Sequence, residues 1–206
     1  MRAGERSVVL QAASLLLQYP DARMRAGLPT IGAAVTELPA GSCRRRLLEF
    51  VEHAEATPAQ ALEEHYVAVL DRERRCCLHL TWWSDGDTRR RGLSLARLKD
   101  LYRRHGLVLA DGELPDHLPV VLEFAAVGDQ EAGLGVLQEN RAGLELLRLA
   151  LTDLRSPYAA PVAAVCGLLP GPSPADEAAA RALARGGPPV EQVGLEPYAV
   201  PAGGPR

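Results

Sequence analysis

Apolar residues in this chain recur at offsets of three and four, and the runs are cut by proline, glycine and capping residues. No segment alternates polar and apolar side chains between turn signals. This pattern admits helices and leaves a sheet without candidate strands, so it predicts an all-α, single-domain multi-helix bundle over residues 1–185. In the first helix Val8, Val9, Ala12, Leu15, Leu16 and Tyr19 share one face, and Pro20 ends it. Asp21 caps a second segment that Gly27 and Pro29 are expected to interrupt before Ile31 to Leu38 resumes. A third helix buries Leu47, Leu48, Val51 and Ala54. Thr57-Pro58-Ala59-Gln60 then reads as a threonine cap opening a helix that buries Leu62, Tyr66, Val69 and Leu70. Asp87 is the expected cap of a long helix ending at Gly106, with Leu95, Leu98, Leu101 and Tyr102 inside. Asp116 is the expected cap of the next, through Ala126. The periodicity of Leu134 to Leu137 and Leu144 to Leu154 predicts an antiparallel pair, and two shorter helices follow over 157–169 and 174–185. Residues 186–206, rich in proline and glycine, are expected to form a mobile tail in which Pro189 to Pro197 is a candidate docking segment.

At 206 residues the chain can bury a proper core, and its 47% hydrophobic and 24% charged residues are ordinary for a soluble protein. A net charge of −3 offers, for the molecule as a whole, no electrostatic case for nucleic acid or anionic lipid. The apolar run from Val8 to Leu17 is broken by Gln11 and Ser14, lacks a cleavage pattern and is too short to cross a bilayer. A cytoplasmic protein without stable membrane insertion is expected. Its four cysteines, Cys43, Cys76, Cys77 and Cys166, are then expected to be free, buried thiols.

The residues between Arg74 and Ala126 carry most of the chemistry. Cys76, Cys77 and His79 invite a metal reading, but neighbouring side chains on a helix diverge by about a hundred degrees and no second ligand pair follows. No metal is expected. A thiol enzyme using Cys76 or Cys77 with His79, His105 or His117 is the alternative from another class, though no Cys-x-x-Cys pair supports it. Trp82 and Trp83 are the only tryptophans, and on one helix they cannot both face one core. One can pack inward while the other lines a groove or a surface, so the pair is either two partly buried core aromatics or an aromatic wall that receives the apolar face of a peptide helix. Arg89, Arg90 and Arg91 open a helix where acids are normally preferred, which makes them either a solvated face or a contact for an acidic partner or phosphate. A nucleic-acid module built on them is disfavoured by the adjoining Asp85 and Asp87. Pro115, Asp116 and His117 have a complete structural account as the stiffened approach, cap and first residue of a helix. As a catalytic pair, Asp116 and His117 lack a neighbouring nucleophile.

Read in order, ERRCCLHLTWWSDGDTRRRGLSLARLKDLYRRHGLVLADGELPDHLPVVLEFAA resembles the core of the cytoplasmic assembly chaperones of respiratory nitrate reductase, the delta-subunit or NarJ family, within the wider chaperones that mature molybdenum redox enzymes. The resemblance is strongest over Tyr66 to Ala126. It implies a chaperone rather than an enzyme, with no cofactor of its own. Its implied partner is the catalytic molybdenum subunit, bound as N-terminal peptide and apoenzyme and held competent for cofactor insertion before membrane docking. Cofactor-delivery proteins are a further partner class. The wider family carries a Glu-Pro-x-Asp-His element at a client-binding loop. Asp116 and His117 carry over onto it, whereas the proline stands one place later here. The client groove is accordingly expected to involve Tyr66, Leu70, Trp82, Trp83, Asp116, His117 and Leu118, edged by Arg89, Arg90 and Arg91.

Overall fold

A computed structural model describes residues 1–110 and 112–185, so the expected tail over 186–206 lies outside the described residues. Among the described residues there are eleven α-helices and no strand. They are α1 (Ala3–Leu16), α2 (Ala22–Thr36), α3 (Ser42–Ala56), α4 (Ala59–Tyr66), α5 (Leu80–Asp85), α6 (Arg89–Arg104), α7 (Leu118–Glu123), α8 (Gln130–Glu139), α9 (Arg141–Asp153), α10 (Ala159–Cys166) and α11 (Glu177–Arg185). Both α4 and α7 run on into a π-helical turn, Val67–Asp71 and Phe124–Gly128 respectively. None of the helices is long and apolar enough to cross a membrane.

Helix α1 is the hub. It packs against α2, α3, α7, α10 and the Phe124–Gly128 turn. Its buried arc is therefore wider than a single stripe and rotated from the expected one: Val9, Leu10, Ala12, Ala13, Ser14 and Leu16 are inside, while Val8 and Leu15 are only partly covered and Tyr19 is half exposed. Small residues at 12–14 let neighbouring backbones come close, and the Ser14 hydroxyl donates to the carbonyl of Pro119 at 2.8 Å. A run of aromatic contacts crosses the same region. Phe50 meets Tyr158 at 4.8 Å between centroids, Tyr158 meets Tyr66 edge-on at 5.6 Å, and Tyr66 meets Tyr19 edge-on at 5.4 Å.

Several local expectations hold and several fail for identifiable reasons. Asp21 caps α2, accepting from the Met24 amide at 2.8 Å, yet Gly27 and Pro29 do not interrupt it; burial of Met24, Leu28, Ile31 and Val35 carries the helix through the proline. Thr57 does not open α4 but closes α3, its hydroxyl donating back to the His53 carbonyl at 2.7 Å, and Pro58 takes the cap position. Asp87 yields its place to Thr88, and Gly106 does adopt the left-handed conformation at φ 77°. Helices α8 and α9 are joined by Asn140 alone and do not form the expected pair: α8 packs mainly on the Phe124–Gly128 turn and α9 on α10 and α11. Gly133 makes the first packing possible, since a Cβ there would collide with Ala125.

An ionic group within the bundle holds the last described segment. Glu145 of α9 is fully buried and accepts from Arg148 Nε at 2.6 Å, with Arg141 Nη2 3.9 Å away. The same two arginines donate onward to carbonyls of Gly171, Pro172 and Pro174, which fastens the chain leading into α11 across α9. Removing the carboxylate strands two guanidinium groups with little access to water. Glu145→Ala is therefore expected to cost about 3 kcal/mol or more in urea unfolding, against a few tenths for Glu177→Ala in the exposed Arg181 pair.

Candidate functional site

The segments 78–80 and 116–118 meet as a single antiparallel bridge, with the Leu80 amide donating to the Asp116 carbonyl at 2.9 Å and the Leu118 amide to that of Leu78 at 2.8 Å. This crossing sets α5 beside the start of α7 and brings His79 and His117 to 5.2 Å between ring centroids. Asp116 lies beneath it with no exposed surface. Its carboxylate accepts from His79 Nδ1 at 3.1 Å, from the Thr81 hydroxyl at 2.5 Å and from Arg91 Nη2 at 3.4 Å. Burial alone would raise its pKa; the hydrogen bonds from His79 and Thr81 and the charges of His79 and Arg91 outweigh that and hold it down at about 2. Asp116 is thus no helix cap. The cap of α7 is His117, whose imidazole is pushed down to about 4 by burial and then by the neighbouring His79, so that it is neutral near pH 7.

Above the crossing, Tyr66, Leu70, Cys77, His79, Trp82 and His117 line a cleft of about 320 Å³. Arg74 lies over the Trp82 ring at 5.5 Å, and Asp71 and Glu73 stand at the edge. Tyr66 and His117 also line a second cleft, of about 710 Å³, whose apolar side is made by Tyr19, Met24, Ile31 and Val120 and whose charged side includes Asp21, Glu113 and Glu123. The two clefts adjoin at these shared residues, and the charged groups lining them, Asp21, Asp71, Glu73, Glu113 and Glu123 against Arg23 and Arg74, are mostly carboxylates. The π-helical turn after α4 places Leu70 and Asp71 in its wall.

Of the expected groove residues, Tyr66, Leu70, Trp82 and His117 come together. Trp83 turns the other way: its indole donates to the Cys77 carbonyl at 3.1 Å, and its Cβ lies 2.6 Å from where a Cβ on Gly143 would stand. It holds α5 against α9. Leu118 and Asp116 have no exposed surface and support the wall from behind, because the bridge draws their segment into the core. Nor do the three arginines act together. Arg91 turns inward to Thr81 and Asp116, while Arg89 and Arg90 are exposed on the far side of α6. The inward turn was legible, since Arg91 lies on the same helical stripe as Leu95, Leu98 and Tyr102. The contributions of Tyr19, Met24, Ile31 and Val120 carried no such signal, because they depend on how α1, α2 and α7 are docked.

Cys43, Cys76 and Cys166 are buried and Cys77 partly so. Burial raises the thiols of both central cysteines, Cys76 to about 11, which opposes a thiolate nucleophile at neutral pH. Among the described residues no group of three or more His, Cys, Asp or Glu is placed to hold a metal ion.

The all-α fold is shared with a protein from Archaeoglobus fulgidus described as a redox enzyme maturation protein: its crystal structure superposes with a TM-score of 0.59 over 79% of this chain and 92% of that one, at 20% identity. Residues 36–164 match the model of the nitrate reductase delta subunit family, and the chain belongs to that family. The match extends well beyond the stretch from Tyr66 to Ala126. The NarJ molybdenum cofactor assembly chaperone of Bacillus subtilis is 35% identical over 77% of this chain and 86% of its own length. That of Escherichia coli K12 is 32% identical over 74% and 65%. The nitrate reductase-like protein NarX of Mycobacterium tuberculosis is 40% identical, although the matched part is only 24% of that longer protein.

The two histidine and aspartate environments fix an acid response. A buried neutral His117 contributes stability that is present above its unfolded pKa of about 6.5 and is lost as the pH falls towards 4. The depressed Asp116 adds a loss as the pH falls from about 4 towards 2. His117→Gln should flatten the stability profile between pH 6.5 and 4, a span otherwise worth about 3 kcal/mol, and leave the loss below pH 4 in place. Urea midpoints across that range provide the measurement.

Proposed function

We propose that this protein is a dedicated, non-enzymatic chaperone that binds the catalytic molybdenum subunit of respiratory nitrate reductase before assembly. On this reading the groove takes the N-terminal peptide of that subunit as an amphipathic helix. The chaperone keeps the apoenzyme competent for molybdenum cofactor insertion and delays its docking to the membrane partner; cofactor-delivery proteins are further partners. The observation that carries the reading is the pair of adjoining clefts that share Tyr66 and His117, taken as one apolar trough with an acidic edge, in a chain of the delta-subunit family. A trough of this kind accepts one apolar face of a helix and selects for basic residues along its sides. Raised thiols at Cys76 and Cys77, and a Thr81 hydroxyl held in the interior against the buried Asp116, favour selective binding over a covalent step.

Titration of the full chain with the client N-terminal peptide tests this directly. Because Trp82 faces the groove, peptide entry is expected to change tryptophan emission. Losing an anchoring aromatic at the centre of an interface commonly costs about 2 kcal/mol, so Trp82→Ala should weaken the complex at least roughly tenfold while unfolding almost as the wild type does. Trp83→Ala should instead lower stability, since its ring packs on Gly143. Unchanged affinity in a folded Trp82→Ala variant would place the client site elsewhere. Co-purification of the catalytic subunit, with and without its first residues, separates peptide recognition from binding of the remaining apoenzyme.

A further inference from the structure

Helix α6 is chemically unlike the rest of the molecule. Its sixteen residues carry seven cationic side chains and one acid, Asp100, in a chain whose net charge is −3. It is held on one side only, by Leu98 and Tyr102 with Arg91 beside them, and its packing is chiefly against α5. The opposite half of its circumference bears Arg89, Arg90, Arg97, Lys99, Arg103 and Arg104, all exposed. Among the described residues only Arg104 of these has an acidic partner, Asp100 at 3.5 Å. Leu93 stands within this basic face and is 66% exposed. The loop that follows α6 adds Val108, 89% exposed.

We propose that the outward face of α6 is a peripheral docking surface for an anionic lipid bilayer. The exposed half of α6 is a ridge of about 24 Å, and the recess beside it, a cleft of about 200 Å³ lined by Lys99, Arg103 and Val108, lies towards its C-terminal end, away from Arg89, Arg90 and Leu93. A plane of phosphate headgroups needs no recess along such a ridge. It is met by long, unpaired arginine side chains spread along a straight edge, while a proud leucine enters the boundary between headgroups and acyl chains. The acidic balance of the whole chain does not oppose this. At physiological salt, charges more than about 8 Å away are screened, so a plane pressed against α6 feels chiefly the local cations. Contact through this face is reversible and shallow, and it involves no spanning segment. It uses none of the groove residues Tyr66, Leu70, Trp82 and His117.

The test is co-sedimentation of the full chain with vesicles of phosphatidylglycerol mixed into phosphatidylcholine, beside vesicles of phosphatidylcholine alone. The expected result is binding to the anionic vesicles only, falling steeply with added salt. The double variant Arg90→Glu/Arg97→Glu should bind at least about tenfold more weakly, and Leu93→Ser a few-fold more weakly with the salt dependence retained. Both variants alter exposed positions, so dichroism and melting should match the wild type, and affinity for the client peptide should be unchanged. Failure of the wild type to bind anionic vesicles at low salt would overturn the proposal, as would equal binding by the double variant or equal binding to phosphatidylcholine. If the wild type ignores vesicles while the double variant loses affinity for the apoenzyme, the face is a contact for an acidic protein and the lipid assignment fails.

Discussion

A buried carboxylate accepting from three directions organises this molecule. Asp116 receives His79 from the segment before α5, Thr81 from within α5 and Arg91 from α6, while its own carbonyl and the Leu118 amide pair with residues 78–80. A carboxylate without exposed surface is tolerable only when its lone pairs are occupied, and here every donor comes from a different part of the chain's central third. Satisfying that one group fixes where α5, α6 and α7 stand relative to each other. The groove follows from it: His117 is held at the junction of the two clefts, and Trp82 is carried across from it on α5.

The division of labour among neighbouring residues is equally physical. Of two adjacent tryptophans one is spent on packing α5 against a glycine of α9 and the other is left to face the cleft. Of two adjacent residues in the Asp-His element, one is a structural anion and the other a neutral imidazole at the surface of the groove. Polarity in this region is devoted to holding an apolar trough open. That arrangement suits recognition, in which complementarity does the work.

Much of the helical order could be read from spacing alone, because the core stripes of α3, α4 and α6 keep a clean period and Gly106 marks its helix end by the conformation only glycine adopts readily. Errors arose where a residue had two local uses. Thr57 could open one helix or close another, and Asp116 could cap α7 or answer charges from elsewhere; tertiary partners decided both. Pro29 should have broken α2 but is overridden by four buried side chains. In the candidate site, Tyr66, Leu70, Trp82 and His117 were legible as chemistry, and Arg91 as a position. The half of the groove built from Tyr19, Met24, Ile31 and Val120 was not, since no periodicity within one helix tells which other helix will lie across it.

The two π-helical turns bear on how such a groove can change over time. Each follows directly on an α-helix, after Tyr66 and after Glu123, and each gives its chain one more residue than the α ladder would use. The wider turn redirects the side chains within it relative to the preceding helix, and Leu70 and Asp71, both inside the first of these turns, line the wall. Substitutions exchange what the wall presents at a fixed direction. Insertion or loss of a single codon re-aims a whole stretch of it at once, so the shape recognised by this face can shift in one discrete genetic step while the helices behind it keep their places.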